Sequence, residues 1–153
     1  LTRTGARFFM VNSTLSHISY LLDTNIISEL IKPQPNQHVI SQFQLYQHEI
    51  AIPSLVWNEL RFGWLKMPQG QGKEMIGSFL HDIVSLIPTL SYHESAAKIH
   101  AEIRLEAQQN GLNIPFADGQ IAAIAMAQGL ALVTRNSKDF QNISGLRLVN
   151  WFR

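Results

Sequence analysis

IPFADGQIAAIAMAQGLALVTRNSKDF, residues 114–140, changes character halfway. Pro115 to Gln128 reads as a helix that is apolar almost all round: Ile121, Ala122, Ala123, Ile124, Ala125, Met126 and Ala127 leave it no polar face. A helix of that kind is buried. Gly129 closes it, and Leu130 to Thr134 is then a continuous apolar run of strand length. A buried helix feeding a buried strand belongs to an α/β protein whose sheet is covered on both faces.

The rest of the chain repeats this alternation. Ile18–Leu22, Glu49–Ile52, Ile87–Leu90 and Leu146–Trp151 read as further short strands. Helices are expected at Asn25–Ile31, stopped by Pro33 and Pro35; at Val39–Tyr46; from an N-cap at Ser54 through Leu65; at Glu74–Leu86; and at Ser91–Asn110, closed by Gly111. In the Glu74–Leu86 segment Met75, Phe79, Ile83 and Leu86 fall near one face. Gln69–Gly72 reads as a plain loop. The expected fold is α/β, a three-layer α/β/α domain around a central, mainly parallel sheet. Ligands of such sheets bind beyond the carboxyl ends of the strands.

Composition sets the limits. The 153 residues suit one domain with a real core, and 46% hydrophobic against 15% charged residues excludes a disordered chain. A net charge of +1 gives no global pull toward nucleic acid, so such contacts must come from local patches. There is no cysteine, which removes disulfides, thiolate zinc sites and cysteine nucleophiles. No stretch has the length of a membrane span, and a cytoplasmic setting is expected. Residues 1–16 read as an N-terminal tail or upstream extension, because Met10 makes a natural start; residues 17–153 form the domain.

Four acids stand at the ends of these apolar elements: Asp23 in YLLDTN, Glu59 in VWNEL, Asp118 in PFADGQ and Asp139 in TRNSKDF. Each has a purely structural reading. Asp23 fits an N-cap equally well. Glu59 fits an exposed residue paired with Arg61 or Lys66. Asp118 gains from the dipole of its own helix, and Asp139 fits turn chemistry with Asn136 and Ser137. Together they point to one rim of the sheet, where four carboxylates repel unless a divalent cation lies among them. Thr134 and Asn136 add polar groups at the same rim. Arg135 and Lys138 fit phosphate contacts and solvated surface charges equally. No HExxH, P-loop, dinucleotide fingerprint or nucleophile elbow is present.

The segments YLLDTNIISEL, NELRFG, IPFADGQIAAIAMAQGLALVTRNSKDF and GLRLVNW together resemble the PIN-domain ribonucleases, most closely the VapC/FitB-like toxins of bacterial toxin–antitoxin pairs. The resemblance runs from about Tyr20 to Phe152. It implies a Mg²⁺- or Mn²⁺-dependent endoribonuclease acting on RNA. Asp23, Glu59, Asp118 and Asp139 take its four acidic positions, and Thr134 and Asn136 its supporting ones. Asp23 and Asp118 are the first choice as direct metal ligands, with Glu59 and Asp139 acting through water or as a general base. Many members carry a further acid near the place of Asn136, so one tightly held ion is expected here. The resemblance also implies a cognate antitoxin, a DNA-binding protein whose tail crosses the active-site groove. A homodimer is expected through the aromatic stretch Leu55–Leu65, with Trp57 or Trp64 near the interface. The competing readings are a non-catalytic α/β binding module, in which the acids are only caps, and a DNase on the same scaffold.

Overall fold

The computed structural model describes residues 17–153; the tail expected at residues 1–16 lies outside them. Five strands are described: β1 (Tyr20–Leu22), β2 (Ile50–Pro53), β3 (Thr89–Leu90), β4 (Ala131–Val133) and β5 (Leu148–Val149). They form one sheet in the order β3-β2-β1-β4-β5, and every pairing is parallel. β1 is central, with Leu21 opposite Ala51 on one side and Leu132 on the other. All carboxyl ends therefore face one rim.

Strand residues alternate strictly between two cores, as the period of two requires. Leu22, Ile50, Ile52 and Val133 enter one cluster; Leu21, Ala51 and Leu132 enter the other. The first core is closed by α1 (Thr24–Leu30), α2 (Gln37–Tyr46), α3 (Ser54–Lys66) and α4 (Gln71–Asp82). The second is closed by α5 (Glu94–Gln109), α6 (Phe116–Ala127) and α7 (Ser137–Phe140). This is the expected α/β/α sandwich. Each fully buried Leu or Ile side chain adds roughly 1.5–3 kcal/mol by leaving water, and such residues recur through both cores.

α6 lies tightly on the sheet because its contact residues are small: Ala122, Ala123 and Ala125 are fully buried. Gly129, at φ +67°, turns the chain straight into β4. The Leu130 amide donates back to the Ala125 carbonyl at 2.9 Å. In the first core Trp151 packs against Tyr46, ring centroids 6.1 Å apart and nearly parallel, and edge-on to Tyr20 at 5.7 Å.

Several local expectations are corrected. Ser54 is the first residue of α3 rather than its cap; Pro53 ends β2 and holds the cap position with no side-chain bond. The loop at residues 69–72 is shorter than expected, because Gly70 adopts φ +148° and α4 starts at Gln71. The segment to Leu86 is not one helix. α4 ends at Asp82 and a separate 3₁₀ turn covers Val84–Leu86. Phe79 and Ile83 are buried, but Met75 and Leu86 are exposed. The turn expected around Ser137 and Asp139 is the short helix α7.

Candidate active site

The rim at the ends of β1 and β4 is held by side chains from two turns far apart in sequence. The Asp23 amide donates to the Val133 carbonyl at 3.0 Å, so β1 is zipped to β4 up to its last residue. Asp23 is the N-cap of α1. Its Oδ1 accepts the Thr24 amide at 2.8 Å, and its Oδ2 accepts the Thr134 hydroxyl at 2.9 Å and the Asn25 amide nitrogen at 3.3 Å. The capping and rim readings of Asp23 are thus compatible: one oxygen caps the helix while the other faces β4.

Thr134 is fully buried, and its Oγ1 also accepts the Asn136 amide at 3.1 Å. Asn25 spans both turns, since its Oδ1 accepts the Arg135 amide at 3.1 Å. Asn136 is exposed and sits at the N-cap of α7 without a side-chain capping bond. Arg135 turns outward and lies over the Phe152 ring at 4.5 Å.

The other three acids come from separate helices. Asp118 is half-buried in the first turn of α6, Glu59 is exposed on α3, and Asp139 is exposed in the first turn of α7. The expected ion pairs of Glu59 are absent: Arg61 lies over Trp64 at 5.3 Å and Lys66 over Phe62 at 4.6 Å. Glu59 instead lines a cavity of about 400 Å³ with Ser54, Leu55, Asn58 and Ala117, the last adjoining Asp118 in sequence.

Electrostatics links the four acids. The Asp118 carboxyl is pushed up to about 6, first by burial and then by the charges of Asp23, Asp139 and Glu59. Asp23 is also raised, chiefly by burial, although its hydrogen bonds from Thr24, Thr134 and Asn25 pull the other way; Asp139 adds to the rise. A buried carboxylate has a different fate where a cation is present. Burial opposes ionisation of Glu29 too, yet Lys32 at 2.9 Å and the Asn36 amide at 2.9 Å hold its carboxyl below its ordinary value. Glu29 is structural, tying α1 to the start of α2. Among the described residues no ion pair of this kind reaches the four rim acids.

The donor set suits a hard divalent cation: carboxylate oxygens, with no thiolate or imidazole among them. Among the described residues, no three His, Asp or Glu side chains are gathered into a ready-made cage.

Sequence reasoning missed two residues here. Asn25 was read only within a cap and motif, yet it joins two turns. His100 lies outside every motif singled out in the sequence. It is buried, and its imidazole is held below its ordinary pKa by burial and then by Arg104. Its spacing with Ala96, Ile103 and Ala107, the other buried residues of α5, is the helical signal that marks a core position.

The PIN domain family model matches residues 20–146. Toxin FitB of Neisseria gonorrhoeae is 35% identical over 126 residues, covering 78% of this chain and 89% of that protein. The tRNA(fMet)-specific endonuclease VapC of Shigella flexneri is 34% identical over 134 residues, covering 88% of this chain and 98% of that protein. Among solved structures, VapBC2 from Rickettsia felis bound to a DNA fragment from their promoter superposes with a TM-score of 0.76 at 33% identity, covering 88% of this chain and 99% of that one.

Proposed function

The chain belongs to the PIN-domain family, and we propose that it is a divalent-metal-dependent endoribonuclease acting as the toxin of a toxin–antitoxin pair. One observation supports this above the others. The charges of Asp23, Asp139 and Glu59, from separate elements, all act on Asp118, and among the described residues no cation forms an ion pair with any of the four. A site that only capped helices has no need to gather charge it then fails to compensate.

In this reading Asp23 and Asp118 hold the ion, Mg²⁺ or Mn²⁺. When bound, it offsets charge on the phosphoryl oxygens and acidifies a water. Thr134 and Asn25 fix Asp23 by donating to Oδ2, so that its remaining lone pairs are aimed rather than free to swing. Glu59 and Asp139, exposed at the edges of the same space, accept a proton from water through their carboxylate oxygens. The cavity beside Glu59 offers room for the substrate strand next to Asp118. The names of the relatives, an endonuclease and a toxin, support RNA as the substrate and an antitoxin as the partner. The promoter DNA in the VapBC2 structure supports an antitoxin that carries the DNA-binding function, since a net charge of +1 gives this chain little of its own. A cytoplasmic setting follows from those two partners, and no described helix is long and apolar enough to cross a membrane.

The test is cleavage. Incubated with total cellular RNA, the protein is expected to create discrete new ends in Mg²⁺ or Mn²⁺ and none in chelator. An end pattern identical in both conditions, or none in either, refutes the reading.

We further propose that the chain forms a homodimer through the outer face of α3. Phe62 and Leu65 are 59% and 54% exposed there. Trp57 and Trp64 are half-buried and already engaged, donating to Thr89 Oγ1 at 3.0 Å and to the Lys73 carbonyl at 2.8 Å. The interface is therefore assigned to Phe62 and Leu65, with the tryptophans behind them. Light scattering is expected to give twice the chain mass at tens of micromolar, and a chain-mass reading for Phe62→Glu. A wild type that scatters as a monomer sinks the proposal.

A further inference from the structure

Phe116 is 57% exposed, in the first turn of α6, two residues before Asp118. An exposed phenylalanine is ordinary when it is loose. This one is mounted. The buried imidazole of His100 meets its ring at 4.6 Å and 66°. His100 is in turn fixed by a 2.8 Å hydrogen bond between its Nδ1 and Tyr92 Oη and by the Tyr92 ring at 5.7 Å. Gly119 makes this possible: a Cβ there would stand 2.5 Å from His100 Nε2, so only glycine lets the imidazole reach under the helix terminus.

The Arg104 guanidinium lies over the ring, 5.4 Å from its centroid. His100, Arg104 and Gly119 also line a cavity of about 260 Å³, where the amides of Gln108 and Asn113 stand among apolar walls that include Leu112 and Ile114. The mixture consists of a rigid, half-open aromatic face, an adjacent cation, and amides that both donate and accept. Unstacked RNA bases are recognised with such a set, by stacking on aromatic side chains and hydrogen bonding at their edges, with basic groups on the backbone.

We propose that Phe116 is a stacking platform for an unpaired RNA base next to the cleaved phosphodiester, with Arg104 meeting the adjoining phosphate and the Gln108–Asn113 cavity receiving the edge of the base. The proposal rests on the nuclease reading for its substrate class. It adds a binding residue outside the acidic rim. The rim neutralises and cuts; the platform sets which nucleotide lies across it. His100, Tyr92 and Gly119 are positioning residues, acting only through the ring they support.

The experiment uses the full chain in chelator, where RNA stays intact. Binding of a 3′-fluorescein-labelled single-stranded oligoribonucleotide is followed by anisotropy for wild type, Phe116→Leu and Phe116→Trp. Stacking on one aromatic gives an expected loss of roughly 5- to 100-fold in affinity for Phe116→Leu. Phe116→Trp restores binding, and its added indole emission falls as RNA is bound. In metal, Phe116→Leu raises KM and leaves kcat within a few-fold of wild type. Equal affinity for wild type and Phe116→Leu overturns the platform. So does a loss of affinity accompanied by a fall to monomer mass and no quenching in Phe116→Trp, which makes the ring a contact between copies. A wild type that binds RNA through Phe116 but never cuts it leaves the platform standing and refutes the nuclease. A wild type that cuts RNA while Phe116→Leu changes nothing does the reverse.

Discussion

Asp23→Asn is expected to lower RNA cleavage by about a thousandfold or more, since the cation that Asp23 holds contributes several kcal/mol to the transition state. The variant is expected to fold. The amide oxygen still accepts the Thr24 amide and still caps α1. The amide nitrogen takes the place of Oδ2, where the Thr134 hydroxyl can reverse and accept from it. Only the bond from Asn25 is lost, donor now facing donor, at a cost of roughly 1 kcal/mol. A cap without chemistry therefore predicts an almost silent substitution, and a metal ligand predicts near-complete loss with the fold retained. Cleavage by wild type and variant, each with Mg²⁺ and with chelator, separates the two. Comparable rates in the two proteins end the catalytic assignment of Asp23.

Asp118→Asn is expected to uncouple metal from stability. In the unfolded chain the Asp118 carboxyl titrates near its ordinary 3.8, and in the fold at about 6. Between those values the folded state binds the proton more tightly, so its stabilising contribution is present below about pH 4, is lost as pH rises to about 6, and stays absent above. Without metal, the variant should therefore match or exceed the wild-type melting temperature at pH 8, and that margin should vanish toward pH 4. Added Mg²⁺ or Mn²⁺ should raise the wild-type melting temperature saturably, because it binds only the folded state, and should leave the variant unchanged. The wild-type shift should shrink below about pH 6, where protons compete with the ion for the same oxygens. A wild-type melting temperature indifferent to both ions through millimolar concentrations rules out the site.

The parts of this fold that were legible in the sequence are those with strong local signals. The apolar runs at Ile18–Leu22 and Leu130–Thr134 read as buried strands, and the unbroken apolar helix before Gly129 pointed to the α/β class. Asp118 stood out because nothing else on its helix is charged. What stayed hidden is what depends on partners distant in sequence. Asn25 meets Thr134 across 109 residues, and no local pattern announces such a bond. α7 has four residues, too few to display a period. Leu86 matches the apolar stripe of one long helix, but the helix ends at Asp82 and Leu86 lies exposed in a separate turn. The acids were chosen by type and position, and what the fold adds is their mutual repulsion.

The bond between Asp23 and Thr134 closes a gap of 111 residues, and this bears on when activity can begin. A polypeptide emerging from the ribosome displays β1, β2 and α3 well before α6, β4 and α7 exist. Asp23 and Glu59 are then already present, without Asp118, Thr134 or Asp139. The central strand cannot be flanked by β4 until that late segment arrives, and long-range parallel pairing is slow to form. In the proposed reading the acids can meet only after β4 is seated beside β1, so activity begins no earlier than the completion of the sheet's centre.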